Sequence, residues 1–134
     1  MRVLYVEDNR INAVLLEETL RLHGEVDVRV AETGQEALAL VQEGWTPDLL
    51  VLDAHLPGMT GYEVLERLKH EPGLADTPAI MCSADAGDED RQRAANAGFI
   101  SYWAKPIDVL AIRADLARLF PDAPGTSGAG SARH

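Results

Sequence analysis

Residues 49–58 read "LLVLDAHLPG": an unbroken aliphatic run stops on a carboxylate, Asp53, and then breaks into a Pro-Gly turn. An apolar run with no polar alternation suits a strand covered on both faces, as in a parallel sheet. The strand is expected over 48–53, and "RVLYV" (2–6) and "PAIMC" (78–82) share its continuous character. "VDVRV" (26–30) and "FISYWA" (99–104) complete a set of five. Between them the apolar residues fall at helical spacing: Ile11, Val14, Leu15 and Leu22; Ala37, Leu40 and Val41; Val64, Leu65 and Leu68; Val109, Ile112, Leu116 and Leu119. Residues 88–97, "DEDRQRAANA", offer only alanines to a core, so this helix is expected to be weakly anchored. Strands alternating with helices, joined by right-handed crossovers, predict an α/β fold: a (βα)5 three-layer sandwich around a parallel five-stranded sheet. Gly24, Gly44 and Gly98 follow helical segments, and Pro47, Pro57, Pro78 and Pro106 lie between elements.

A chain of 134 residues that is 46% hydrophobic can bury one core, expected over residues 1–120. The remainder, "PDAPGTSGAGSARH" (121–134), has nothing to bury and reads as a flexible tail or linker stub. A net charge of -10 argues against direct nucleic-acid binding, which relies on clustered Lys and Arg. The one cysteine, Cys82, has no partner for an internal disulfide, and there is neither a signal-like start nor a run of 18 apolar residues. Cytoplasmic location without membrane insertion is the expectation.

The polar residues gather at strand ends: Glu7 and Asp8 after the first strand, Asp53 after the third, Ser83 after the fourth, Lys105 after the fifth. In an open α/β sheet the carboxyl ends of the strands line the ligand crevice, so these side chains should converge. Three carboxylates together repel, and a divalent cation relieves them. Oxygen donors without a His or Cys set favour Mg2+. Asp53 then reads as an oxygen nucleophile toward a phosphoryl group whose other oxygens Lys105 and Ser83 hold. Taken singly, Asp53 could be a turn or cap residue, Ser83 a strand terminator and Lys105 a surface lysine; five at successive strand ends favour a site. Lys105 also precedes Pro106, a bond type that can be cis and fix a loop. His55 as a transition-metal ligand is the weaker alternative, Cys82 and both tryptophans read as packing residues, and the lack of a Gly-rich loop argues against direct nucleotide binding.

Four segments carry a family resemblance: "VEDN" (6–9), "LDAHLPGMTG" (52–61), "CSA" (82–84) and "YWAKP" (102–106). With this order and spacing the chain resembles a receiver domain of two-component response regulators, chemotaxis-regulator-like, from residue 2 to about 120. The resemblance implies a flavodoxin-like sheet of order 2-1-3-4-5. It implies that Asp53 is a phosphoacceptor served by a phosphohistidine of a histidine kinase or histidine phosphotransfer protein. Mg2+, with Mn2+ as a substitute, would be held by Glu7, Asp8, Asp53 and the backbone carbonyl of His55. Ser83 and Lys105 would bind the phosphoryl group, Ser83 and Tyr102 would switch, and Pro57 and Pro106 would set loop geometry. His55 and Asp85 stand where the family tunes acyl-phosphate lifetime, and the sign of Asp85's effect is left open by sequence. Residues 84–104 with the helix around 107–119 would form the output surface for a downstream protein target, the chain being a monomer or a weak phosphorylation-dependent dimer. Departures are mild: Glu7 for Asp, Ser83 for Thr, Leu56 for Met, and Thr60 for Asp or Asn.

Such a chain catalyses its own phosphorylation and dephosphorylation and is otherwise no enzyme. An aspartyl-phosphate phosphohydrolase of the haloacid dehalogenase type would need a second Asp at the position of His55. A non-phosphorylated interaction module would be expected to lack Asp53, one of the acids, or Lys105. Either a stand-alone regulator or a receiver from a larger protein, such as a hybrid kinase, is expected.

Overall fold

Strand β3 (Leu49–Asp53) is buried at every position because it lies in the middle of the sheet. The structure, a computed structural model, describes residues 1–85 and 87–121. The other sheet strands are β1 (Arg2–Val6), β2 (Asp27–Ala31), β4 (Ala79–Ser83) and β5 (Ser101–Ala104). All pairings are parallel and the order is 2-1-3-4-5. Five helices, α1 (Arg10–Arg21), α2 (Gly34–Gln42), α3 (Gly61–Lys69), α4 (Asp88–Ala97) and α5 (Val109–Leu119), fill the intervals. The flavodoxin-like sandwich is thus the observed fold. The tail expected over 121–134 lies, from residue 122 onward, outside the described residues.

Alternation along the strands splits the core into two layers. Val3, Tyr5, Leu49, Val51 and Ile80 face one way, packing with α1 and α5; Leu4, Val6, Leu50, Leu52 and Met81 face the other, packing with α2 and α3. After Asp53 the chain makes a small antiparallel hairpin, His55–Leu56 against Met59–Thr60, turned at Gly58 with φ 77°. That hairpin delivers Thr60 as the N-cap of α3, in a capping box with Glu63.

The apolar stripe expected on α1 is a correction. Ile11, Val14, Leu15 and Leu22 face solvent, Ile11 at 79% exposure, while Ala13, Leu16, Thr19 and Leu20 are the buried set. Both sets satisfy helical spacing, so periodicity cannot choose between them. The structure packs the smaller Ala13, with Leu16 and Leu20, into the layer of Val3, Tyr5 and Val51. Thr19 joins the buried face because its hydroxyl donates to the Leu15 carbonyl at 2.8 Å.

Helix α4 is as lightly seated as its sequence suggests. Only Ala94 is buried and no side chain caps its start, although Asp88, Glu89 and Asp90 complement the helix dipole there. Its arginines lean on aromatic rings instead, Arg93 at 4.3 Å over Tyr62 and Arg91 at 5.0 Å over Tyr102.

Candidate functional site

Four strand ends deliver the site, two of them its acidic residues. Glu7 and Asp8 follow β1, and the Glu7 amide continues the sheet by donating to the Ala31 carbonyl at 2.9 Å. Asp53 is the last residue of β3 and Ser83 the last of β4. Lys105 follows β5, its amide donating to the Ser83 carbonyl at 2.8 Å, and a cis Lys105-Pro106 bond turns the chain into α5. Gly61 completes the scaffold from below. A Cβ there would stand 2.5 Å from the Asp53 carbonyl oxygen, so only glycine lets α3 start this close to the end of β3.

Lys105 Nζ lies 2.8 Å from Glu7 Oε1 and 3.1 Å from Asp53 Oδ2, bridging the two carboxylates. Glu7 and Asp53 are buried, whereas Asp8 is exposed at the rim. Glu7 receives further donors: Tyr5 Oη–H to Oε1 at 2.9 Å and the Asn9 amide to Oε2 at 3.2 Å. Asp53 Oδ1 accepts the His55 amide at 3.3 Å.

Burial, reinforced by Glu7 and only partly opposed by Lys105, pushes the Asp53 carboxyl up to about 6. Burial would raise Glu7 as well, but Lys105 above all, with Asp53 and Tyr5, holds it below the usual carboxylate range. Desolvation works against the charge on Lys105, and its two carboxylate partners outweigh it, so the ammonium form is favoured. Burial also pushes the Cys82 thiol up to about 12, consistent with an inert packing residue.

Donor oxygens of Glu7, Asp8 and Asp53 lie within 4.8 Å of one another, and among the described residues no other three His, Cys, Asp or Glu side chains gather in this way. The donor set fits a hard divalent cation: all ligands are oxygens, and burial together with the neighbouring Glu7 charge already raises Asp53. The His55 ring takes no part in that cluster.

Above this floor His55 and Asp85 are exposed, Tyr102 half-buried and Ser83 buried. His55 Nε2 meets Asp85 Oδ2 at 2.7 Å, the Asp85 amide donates to Ser83 Oγ at 3.0 Å, and the Tyr102 hydroxyl donates to the Asp85 carbonyl. The two positions read as lifetime-tuning are therefore joined to each other, and through Asp85 to both residues read as switching. Pro57 and Pro106 are exposed beside the rim. A cleft of about 60 Å³ runs among Ser83, Asp85 and Tyr102, far smaller than a typical small-molecule pocket of roughly 300 Å³ or more. Tyr5, the Asn9 amide, Gly61 and Arg91 were not singled out by the sequence. For Tyr5 a signal existed: residues two apart on a strand share a face, which puts it beside Glu7.

The response regulator receiver domain profile matches residues 3–117. The polar-differentiation response regulator DivK of Brucella ovis is 36% identical over 107 residues, 80% of this chain and 85% of that protein. Among solved structures, chemotaxis protein CheY4 of Vibrio cholerae superposes with a TM-score of 0.77 at 27% identity, covering 87% of this chain and 96% of the other. The receiver domain of sensor histidine kinase PA1611 from Pseudomonas aeruginosa, described with a magnesium ion coordinated in the active site cleft, has a TM-score of 0.74 at 29% identity, covering 87% and 94%.

Proposed function

The chain belongs to the response regulator receiver family, signalling modules rather than enzymes acting on an external substrate, and we propose on that premise that Asp53 accepts a phosphoryl group from a phosphohistidine. The observation that carries the proposal is the Lys105 bridge between Glu7 and Asp53 at the carboxyl end of the sheet. In the transfer, an Asp53 carboxylate oxygen bonds to phosphorus, the phosphorus–nitrogen bond to the donor imidazole breaks, and its electron pair returns to the ring nitrogen. Mg2+ (or Mn2+) bound by Glu7, Asp8, Asp53 and the His55 carbonyl would offset charge on the phosphoryl oxygens. Such an ion in the PA1611 receiver supports this reading. Lys105 holds Asp53 in place and pairs with the incoming oxygens; Ser83, already fixed by the Asp85 amide, supplies a hydroxyl to them.

The donor is a histidine kinase or histidine phosphotransfer protein. Exposed Ile11, Val14 and Leu15 on α1, starting three residues past Asp8, offer it an apolar docking face. Readout would run from Ser83 through Asp85 and Tyr102 to the surface of α4, β5 and α5, where a downstream protein binds. The light seating of α4, with only Ala94 buried, suits a segment whose conformational population phosphorylation would shift. Residues 1–120 form the receiver, acting in the cytoplasm, and the His55–Asp85 pair governs acyl-phosphate lifetime. Incubation with acetyl phosphate tests the core: hydroxylamine-labile label is expected only with Mg2+ or Mn2+ present, and label that forms equally well in a chelator contradicts it.

A further inference from the structure

Tyr5 and Glu7 are two residues apart on β1 and share the face that packs against α1 and α5. Tyr5 has no exposed surface, and the sheet residues around it, Val3, Leu49, Val51 and Ile80, bring no polar side chain. A phenol in such surroundings needs a partner, since an unmet buried hydroxyl is destabilising. Its partner is Glu7 Oε1 at 2.9 Å, the oxygen that also receives Lys105 Nζ at 2.8 Å. With the Asn9 amide on Oε2 at 3.2 Å, both oxygens of Glu7 are oriented by donors of the protein. A phenylalanine at position 5 would fill the layer with the same ring and leave Glu7 one donor short.

We propose that Tyr5 is a positioning residue for the cation site, its buried hydroxyl fixing the Glu7 carboxylate so that Glu7 anchors Lys105 and faces the ion together with Asp8 and Asp53. The proposal rests on the reading that this acidic cluster takes a divalent cation. Tyr5 and Glu7 form a matched pair: the methylene by which Glu exceeds Asp lets one carboxylate reach down to the hydroxyl and still meet Lys105. Groups that orient a ligand from behind typically change metal affinity by about tenfold or more when removed.

The test is Mn2+ titration of the full chain, followed by the electron paramagnetic resonance signal of the free ion, in wild type, Tyr5→Phe, Tyr5→Leu, Glu7→Asp and Tyr5→Phe/Glu7→Asp. Tyr5→Phe removes one oxygen and keeps the ring, and it should weaken Mn2+ binding about tenfold. Tyr5→Leu, which also opens a cavity in the layer, should weaken it at least as much. In the Glu7→Asp background, where no carboxylate reaches the hydroxyl, Tyr5→Phe should change affinity by less than about twofold. A tyrosine that merely fills the core would give no loss with Tyr5→Phe, or an equal loss in both backgrounds, and either result overturns the proposal. Wild type that binds Mn2+ beside an unaffected Tyr5→Phe overturns only the role of Tyr5; wild type without Mn2+ binding overturns the cation reading as well.

Discussion

The floor and the rim of the site are built on opposite principles. On the floor, Glu7, Asp53 and Lys105 are largely withdrawn from water, so each depends on the others for its charge. At the rim, His55 and Asp85 make a contact as short as those on the floor, 2.7 Å, but their side chains are 73% and 56% exposed. Solvent screens that pair, and its loss is tolerable to the fold. The helices behind the two regions differ likewise: α1 buries Ala13, Leu16 and Leu20 below the floor, while α4 buries only Ala94 near the rim. The proposed chemistry thus falls on the tightly packed part and the proposed readout on the lightly packed one.

Lys105→Met should separate the two regions most sharply. It leaves two carboxylates buried without a cation, and breaking a buried ionic group this way costs about 3 kcal/mol. Urea midpoints at neutral pH should show that loss, with part of it recovered below about pH 6, where Asp53 takes up a proton. Asp53→Asn should act in the opposite direction. The Asp53 carboxyl rises from 3.8 to about 6 on folding, so the folded chain binds that proton more tightly than the unfolded one. The Asp53 contribution to stability therefore falls as pH climbs from about 4 to about 6, opposed in part by the depressed Glu7 carboxyl, and the asparagine variant should be up to about 3 kcal/mol more stable at pH 7 with no advantage below pH 4. Gly61→Ala drives a methyl into the Asp53 carbonyl; about 1–2 kcal/mol of stability should be lost, with roughly a tenfold slower labelling by acetyl phosphate as Asp53 shifts.

Rim variants should behave differently. His55→Ala and Asp85→Ala should each stay within about 0.5 kcal/mol of wild type in urea while changing the acyl-phosphate half-life. Because the two side chains act as one pair, the double variant should match the single variants; additive effects would break the comparison. Arg91→Ala is the smallest change, a fraction of a kcal/mol at an exposed ring contact, and should appear as faster amide exchange confined to α4.

The strands and the convergence of their ends were legible because β3 and β4 are covered on both faces, and full burial leaves continuous apolar runs. Helix α1 was misread for an equally physical reason: it carries two apolar faces, and spacing gives a period but no phase. In the site, residue types at strand ends could be placed together, but their partners could not be read. That Lys105 bridges Glu7 and Asp53 and that Asp85 turns to His55 depend on side-chain rotamers fixed by packing. Tyr5 was hidden in its apolar run because a phenol reads as core until its hydroxyl partner is seen.

Asp53 is the proposed carrier of the phosphoryl group. Borohydride reduction after acetyl phosphate and Mg2+ treatment converts an aspartyl phosphate to homoserine, and peptide mass spectrometry locates it. Homoserine at position 53 in wild type, absent from Asp53→Asn, is the expected result; homoserine at another aspartate, or equal labelling of the Asp53→Asn variant, would contradict the account.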